Sequence, residues 1–557
     1  MYIELISSFK MQNVIDRGFH MRGEYVMAEI ISAAEAVSKI KDNDFIGMAT
    51  FGLAGTCIDI TLALRDSFRK TGHPRDLSLV HGGGFGNFRT LEDGHIGGDW
   101  LSDKGLLKRM IAGHNGDMPE IMRQIAENEL AGWYFPQGTL LQTVSESGRG
   151  MKGALSKVGL GTFMDPRIDG GALNQLAKDM GDEWVKYIPD LDGEEDLWYR
   201  AFPLNVAVIR GTYADEAGNI SIEKEAMFLE VAEMARAAKA NGGIVIVQVE
   251  NIVRTGDIAP KMVAVPAYLV DYIVICEHQE YLYQTHQTHY NPAFSGEIRL
   301  PAKHSSKKLP LNAEKVICRR AAMEIRKGYK CNFGLGMVQA IGNIIAEEGL
   351  SDDVVMISES GSIGGIAQPG LDFGAHLNIE ASINQKLHFD WFDCGLLDFG
   401  AFGLSEVDRN GDINVSLLNG KLGGVGGFTN ITRSAKCSVF AGSFTAVGLK
   451  THIEDGKLII DQEGKFKKFV NHSPQVAFSA DESLKAGHTI MYITERCVFI
   501  RDERGVVLSE IADGIDIQKD ILDQMEFTPV IPKEGVKLMP PEIFRETWGE
   551  LDKAFYS

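Results

Sequence analysis

One carboxylate of this 557-residue chain is set apart by its surroundings. Glu359 follows the apolar, largely β-branched run Val354-Val355-Met356-Ile357 and precedes Gly361, Gly364 and Gly365. Such a run, bounded by Asp352-Asp353 on one side and glycine on the other, predicts a buried strand of an α/β sheet. Glu359 is then the first charge past the strand's carboxyl end, where open α/β sheets bind their ligands. The glycines strip side chains from the turn, so a ligand can come close to the backbone. A single carboxylate among bare backbone amides could act as a covalent nucleophile. The competing reading is a solvated turn carboxylate.

Three other stretches have the composition of binding turns. Leu130 to Phe135 ends in Pro136-Gln137-Gly138-Thr139, where Gln137 could contact a substrate or cap a strand end. In Asn332-Phe333-Gly334-Leu335-Gly336, Asn332 could orient Glu359 or simply be a turn asparagine. In Gly424-Val425-Gly426-Gly427 the backbone N–H groups could stabilise an oxyanion, or the glycines could serve a tight turn with positive φ. His286, His289 and His304 match no standard zinc spacing, so no metal is expected.

The elements that must hold these residues follow one grammar. A helix over Ser32 to Lys39 leads to a strand, Phe45 to Thr50, then a glycine corner and an amphipathic stretch, Thr56 to Arg69. Leu77 to Val80 is a strand ending in His81-Gly82-Gly83-Gly84-Phe85-Gly86. Leu204 to Val208, Ile244 to Val249 and Tyr272 to Cys276 are further buried strands. Ala226 to Ala240 is an amphipathic helix with Met227, Val231, Met234 and Ala238 on one face. The second half restarts with helices over Ala313 to Arg326 and Met337 to Glu347 around the Asn332 corner, then the Glu359 strand. Phe392 to Phe399 and Cys437 to Ala441 are strand-like, and Ile490 to Thr494 pairs with Cys497 to Arg501 as a hairpin. The sequence of strand, glycine corner, helix, strand and glycine cluster occurs twice, which predicts two pseudo-repeated open α/β domains in one chain. The expected organisation is an extension over 1–27, a first domain over 28–290, a linker or flap over 291–312, a second domain over 313–530 and a tail over 531–557.

Composition narrows the partners. A formal charge of -20 argues against a general nucleic-acid or anionic-membrane binder. No apolar run reaches membrane-spanning length, and the N-terminus lacks the apolar core of a signal peptide. The seven cysteines are scattered without a CxxC pair, which fits reduced core thiols and a cytoplasmic location. The glycine clusters lack the GxGxxG order of a dinucleotide site.

Ser358-Glu359-Ser360-Gly361-Ser362-Ile363-Gly364-Gly365 resembles the signature of the family I CoA-transferases around their catalytic glutamate, with Ser360 in place of Asn as in the propionate-type branch. Asn332-Phe333-Gly334-Leu335-Gly336 is similar to the family's Asn-x-Gly-x-Gly corner, with Val338 where the family has Pro. Gly424-Val425-Gly426-Gly427 resembles its Gly-Met-Gly-Gly oxyanion loop, and Pro136 to Leu140 its substrate-side Pro-Gln-Gly-Thr-Leu. Tyr290 to Glu297 and Ile222 to Ala226 resemble the acetate/propionate branch in particular. The N-terminal Gly-Gly-Phe corner departs from pattern, being Ala49-Thr50-Phe51 here.

The resemblance implies the sugar-phosphate-isomerase-like CoA-transferase fold and a homo-oligomer, dimer or tetramer. It implies acyl-CoA and a free carboxylate as the partners, with no cofactor beyond the CoA thioesters themselves. It also implies Glu359 as nucleophile, Gly424 to Gly427 as the oxyanion and CoA loop, and Gln137, Gly138, Asn332 and Gly334 as substrate contacts. In that chemistry Glu359 displaces the thiolate of a thioester to give a mixed anhydride, and the thiolate then takes the glutamyl carbonyl. An acyl-CoA hydrolase on the same site and a non-catalytic acyl-CoA-binding protein are the alternatives.

Overall fold

The computed structural model describes residues 28–301, 308–418 and 420–556. The expected 1–27 extension and His304 therefore lie outside the described residues.

The first half is built on an all-parallel eight-stranded sheet. Its elements in chain order are β1 (Glu29–Ile30), α1 (Ala33–Val37), β2 (Phe45–Met48), α2 (Ile58–Thr71), β3 (Leu77–His81), β4 (Leu107–Ala112), α3 (Pro119–Ala126), β5 (Ala131–Tyr134), α4 (Gln137–Ser147) and a three-stranded antiparallel insertion of β6 (Gly153–Ser156), β7 (Val185–Leu191) and β8 (Glu194–Arg200). They are followed by β9 (Val206–Arg210), α5 (Val231–Ala240), β10 (Ile244–Val249) and β11 (Tyr272–Ile275). The strand order is β1-β11-β10-β9-β2-β3-β4-β5. Every residue of β2, β3 and β9 is buried, as expected of strands covered on both faces.

The second half contains α6 (Ala313–Ala322), β12 (Lys330–Phe333), α7 (Ala340–Glu347), β13 (Val355–Met356), α8 (Gln385–Asp393), β14 (Phe399–Gly403), α9 (Phe428–Ser434), β15 (Cys437–Ala441), α10 (Ala480–Lys485), β16 (Thr489–Ile493), β17 (Cys497–Asp502), β18 (Gly505–Ile511) and β19 (Lys537–Leu538). Its sheet runs β13-β12-β14-β15-β16-β17-β18-β19. The first five strands are mutually parallel, and β17 returns antiparallel as the expected hairpin.

The predicted repeat is present in the topology. The parallel series β3-β2-β9-β10-β11 of the first sheet matches β13-β12-β14-β15-β16 of the second, in chain order and in neighbour order. In both, the chain steps one way from the founding strand and then crosses to its other side. This places a topological switch point beside β2 and beside β12, where a crevice forms at the strands' carboxyl ends.

Several expectations are corrected. Val354 to Ile357 is not a strand buried on both sides: β13 has two residues, lies at the sheet edge and is half-buried, because it has a neighbour on one side only. Residues Phe392 to Phe399 are not one strand. Asn384 caps α8 by accepting from the Leu387 N–H, Gly395 closes it with φ +82, and β14 starts at Phe399. The helix after Ala226 begins only at Val231. The stretch after residue 530 packs back on the second sheet: β19 pairs with β18, and Met539, Ile543, Phe544, Trp548, Leu551 and Phe555 are buried. Cys394 is exposed, at the end of α8, rather than in a core.

Candidate active site

The turn after β13 carries Glu359 and is held by a dense set of local bonds. Ser358 N–H donates to Ser362 O at 3.0 Å and Gly361 N–H to Ser358 O at 3.0 Å. Gly361 has φ +97, and a Cβ there would sit 2.0 Å from Ile383 O, so only glycine fits. Ser360 and Ser362 hydroxyls both donate to Gly374 O, at 2.5 and 3.0 Å.

His376 fixes the residue before the glutamate. Its Nδ1 faces Gly364 O at 2.7 Å, and a carbonyl only accepts, so Nδ1 carries the proton. Nε2 is then an acceptor and takes the Ser358 hydroxyl at 2.6 Å. Burial pushes the His376 pKa down to about 4, which keeps the ring neutral and this tautomer in place.

Glu359 is 7% exposed, and its Oε2 has no hydrogen-bond partner among the described residues. Burial raises its pKa to about 7, against a smaller lowering from the adjacent Asn332 amide. Asn332 lies in β12 and donates from Nδ2 to Ile357 O at 3.0 Å, while its Oδ1 is unpartnered. The structure thus brings Asn332 and Glu359 together. Gly334 N–H donates to Ala401 O at 2.8 Å, tying the corner after β12 to β14 across the switch point.

The Gly424–Gly427 loop meets the first half rather than standing free. Val425 and Gly426 N–H groups both donate to Gly113 O, at 3.0 and 2.8 Å, and Gln137 N–H donates to Gly426 O at 3.0 Å. Gly424 has φ +115, and a Cβ there would lie 2.8 Å from His114 Cα. Gly138 N–H donates to Asn430 Oδ1 at 2.9 Å, and Asn430 Nδ2 faces Asp393. Gln137 and Gly138, expected in a turn, are the first residues of α4, and the loop and this helix start form one cross-half contact.

Helix α8 joins these parts. His388 lies against the Ser358 backbone. Phe389 lies beneath the loop and the helix start: a Cβ on Gly138 would meet its ring at 2.5 Å, and one on Gly427 at 3.1 Å. Asp393 receives Gln142 Nε2 of α4 at 2.9 Å. The sequence reading missed His376, His388, Phe389 and Asp393. For α8 the signal was there: buried Gln385, His388, Phe389 and Phe392 have helical spacing behind a capping Asn384. No local pattern marks His376.

The expected histidine cluster does separate work. His286 Nε2 lies 3.5 Å from Asp117, while His289 Nε2 meets Gln279 O at 2.8 Å. Arg149 pairs with Glu146 on the surface. A cavity of about 1060 Å³ opens on the outer side of the Glu359 strand. Phe333, Val354 to Ser358, Gln368 and Trp548 line it, with Arg299 and Lys308 among its cationic residues. No helix among the described residues is long and apolar enough to cross a membrane.

Comparison with known proteins gives these features a context. A family model described as Coenzyme A transferase matches residues 30–275. The chain is 40% identical to the caffeate CoA-transferase of Acetobacterium woodii over 94% of its own length and 99% of that protein. It is 39% identical to the acetate CoA-transferase YdiF of Escherichia coli strain K12, over 92% of this chain and 95% of that one. Its fold is similar to the crystal structure of the E. coli O157:H7 acyl-CoA transferase YdiF as a thioester complex with CoA. That match has a TM-score of 0.85 at 37% identity and covers 94% of this chain and 97% of that one.

Proposed function

Because this chain belongs to the coenzyme A transferase family and is a CoA-transferase, we propose that it moves CoA between short-chain acids of the acetate, propionate and butyrate type through a glutamyl-CoA thioester on Glu359. The observation that carries this reading is the Glu359 carboxyl itself, buried, only partly partnered and set on a turn that His376, Gly361 and Gly374 hold in place. A relative captured as a thioester complex with CoA supports it.

In this proposal a Glu359 carboxylate oxygen attacks the thioester carbonyl. The C–O bond forms, the C–S bond breaks and the CoA thiolate leaves. The thiolate then attacks the glutamyl carbonyl of the mixed anhydride, forming a C–S bond and releasing the first acid as its carboxylate. A second carboxylate reverses both steps and restores Glu359. In the Gly424–Gly427 loop the Val425 and Gly426 amides exchange Gly113 O for the oxyanion, and losing one such donor costs roughly 100-fold or more in rate. Gln137, Gly138, Asn332 and Gly334 line the path of the acyl group and CoA. The burial of Glu359 favours transfer over hydrolysis, since the anhydride is shielded from water. The reaction uses acyl-CoA and a free carboxylate, draws on no cofactor and runs in a cytoplasmic homo-oligomer, dimer or tetramer.

The test is chemical trapping. After incubation with acetyl-CoA, borohydride should reduce the thioester, and peptide mass analysis should find the change at Glu359. An unmodified peptide under turnover conditions overturns the reading. A panel of acyl-CoAs, caffeoyl-CoA included because of the A. woodii relative, against free acids then ranks the substrates.

A further inference from the structure

The transfer chemistry leaves a second buried carboxyl at the junction unused. Glu230 immediately precedes α5, is 0% exposed, and neither of its oxygens has a hydrogen-bond partner among the described residues. Its Oε1 lies 3.6 Å from the point where a Cβ on Gly82 would project, and Gln137 Cγ lies 3.5 Å from the same point. Both side chains thus lie close to Gly82, the glycine that follows β3, with Leu141 Cδ2 nearer still at 3.1 Å. Gln137 Nε2 is also buried and unpartnered, and its Oε1 lies 3.7 Å from the Cβ position of Gly426 in the loop from the other half.

Buried polar groups in folded proteins are nearly always paired. Two buried orphans near one glycine, beside the loop contact, point to a ligand that supplies their partners. The proposed reaction has an anionic substrate to hold, the free carboxylate. None of the side chains named around Gly82 is cationic. His81 beside it and His114 beside Gly113 are held neutral, their pKa values lowered by burial. The anion has to be held by neutral donors. An amide N–H is one and a protonated carboxyl is another, since it can share its proton with a carboxylate oxygen.

We propose that Glu230, as a neutral carboxyl, forms with the Gln137 amide the pocket for the carboxylate of the free acid, making Glu230 a specificity-determining residue for the acceptor. The proposal rests on the CoA-transfer reading. Burial raises the Glu230 pKa to about 8, with repulsion from Glu233 on the same helix adding to it, so the donor form prevails at neutral pH. Glu233 is itself engaged by Asn384 Nδ2 at 2.8 Å.

The Glu359–CoA thioester isolates the step, because Glu359 no longer titrates once acylated. Wild-type, Glu230→Gln and Glu230→Leu enzymes are charged with acetyl-CoA, freed of excess, and mixed with acetate in single turnovers. The second-order constant for acetate should fall roughly tenfold to a hundredfold in Glu230→Leu, the loss expected for one hydrogen bond to a charged group, and largely recover in Glu230→Gln. In wild type it should decline above pH 8, approaching tenfold per pH unit, and Glu230→Gln should lack that decline. An unchanged acetate constant in Glu230→Leu, or superimposable pH profiles for wild type and Glu230→Gln, overturns the proposal. If the leucine variant fails to fold, the wild-type and glutamine pair decides alone. Failure of wild type to form the thioester defeats the transfer reading instead, which separates the two.

Discussion

At the scale of single residues, the candidate site buries its carboxyl groups, Glu359 being 7% exposed and Glu230 not at all. A Glu359 pKa near 7 has two consequences of known sign. As the proposed nucleophile it must be ionised, so thioester formation should rise with pH through about 7 and level off above it, as single-turnover rates would show. The folded-state value lies above the unfolded one, so the native state binds the extra proton. Stability is then fully present below the unfolded value near 4.5 and is lost as pH rises through about 7. Glu359→Gln removes that penalty along with the chemistry. It should unfold at higher denaturant than wild type at pH 8, by up to about 3 kcal/mol, and the gap should close toward pH 5. A constant gap across that range would contradict the burial argument. Ser358→Ala tests the support beneath: it strands the His376 Nε2 acceptor and should cost about 1–3 kcal/mol. It should also lower kcat more than it raises KM for acyl-CoA. Glu359 was legible from its neighbours in sequence. His376 was not, because it reaches the turn from 18 residues away through one ring nitrogen.

At the scale of elements, α8 is the piece on which both halves of the site lean, and it is the piece the sequence pattern misassigned. Its aromatic residues cluster toward the C-terminal end and run toward the β14 sequence, so the stretch from Phe392 to Phe399 looks like strand. The asparagine cap and the 3.6-residue spacing of its buried face decide otherwise. The parallel strands were recovered well, because burial on both faces writes continuous apolar runs. The two-residue β13 was read too generously for the same reason, since an apolar run does not reveal that a strand sits at an edge. The close contact of α8 with the start of α4 at Gln137 and Gly138 makes a quantitative prediction. Gly138→Ala drives a methyl into the Phe389 ring and should cost about 1–3 kcal/mol. Phe389→Ala opens a cavity and should cost about 3–5 kcal/mol. Combined, the alanine at 138 gains the vacated space, so the double variant should be less destabilised than the sum by about 1 kcal/mol or more. Additive losses in urea unfolding would show that the two residues do not share one contact.

At the scale of the whole molecule, the duplicated strand order explains why one chain can enclose a reaction that must exclude water. Loops at the carboxyl ends of strands in the two halves bond to each other, Gly113 after β4 with Gly426 and Gly138 after β5 with Asn430. The repeat was visible in the sequence as a recurring grammar. The closure was not, because hydrogen bonds between loops about 290 residues apart leave no periodic trace. The C-terminal segment makes the same point about distance. Its prolines suggest a tail, yet residues from Met539 to Phe555 cover the second sheet, and Trp548 walls the cavity beside the Glu359 strand. Arg319 of α6, 1% exposed, donates to the carbonyls of Ile543, Arg545 and Glu546. A chain ended at Gly535 would leave this guanidinium without its acceptors and would lose six large buried apolar side chains together with the cover they give the second sheet. Hydrogen bonds to a charged group contribute about 1.5–3 kcal/mol each, and each buried apolar side chain a similar amount, so the truncation should cost more than about 5 kcal/mol. Arg319→Met should be costly in the full chain and markedly less so in the truncated one, because there the charge has lost its reason to be buried. Thermal unfolding of the four proteins measures this, and a truncated chain that melts within a few degrees of the full one would mean that the segment is not part of the second domain's core.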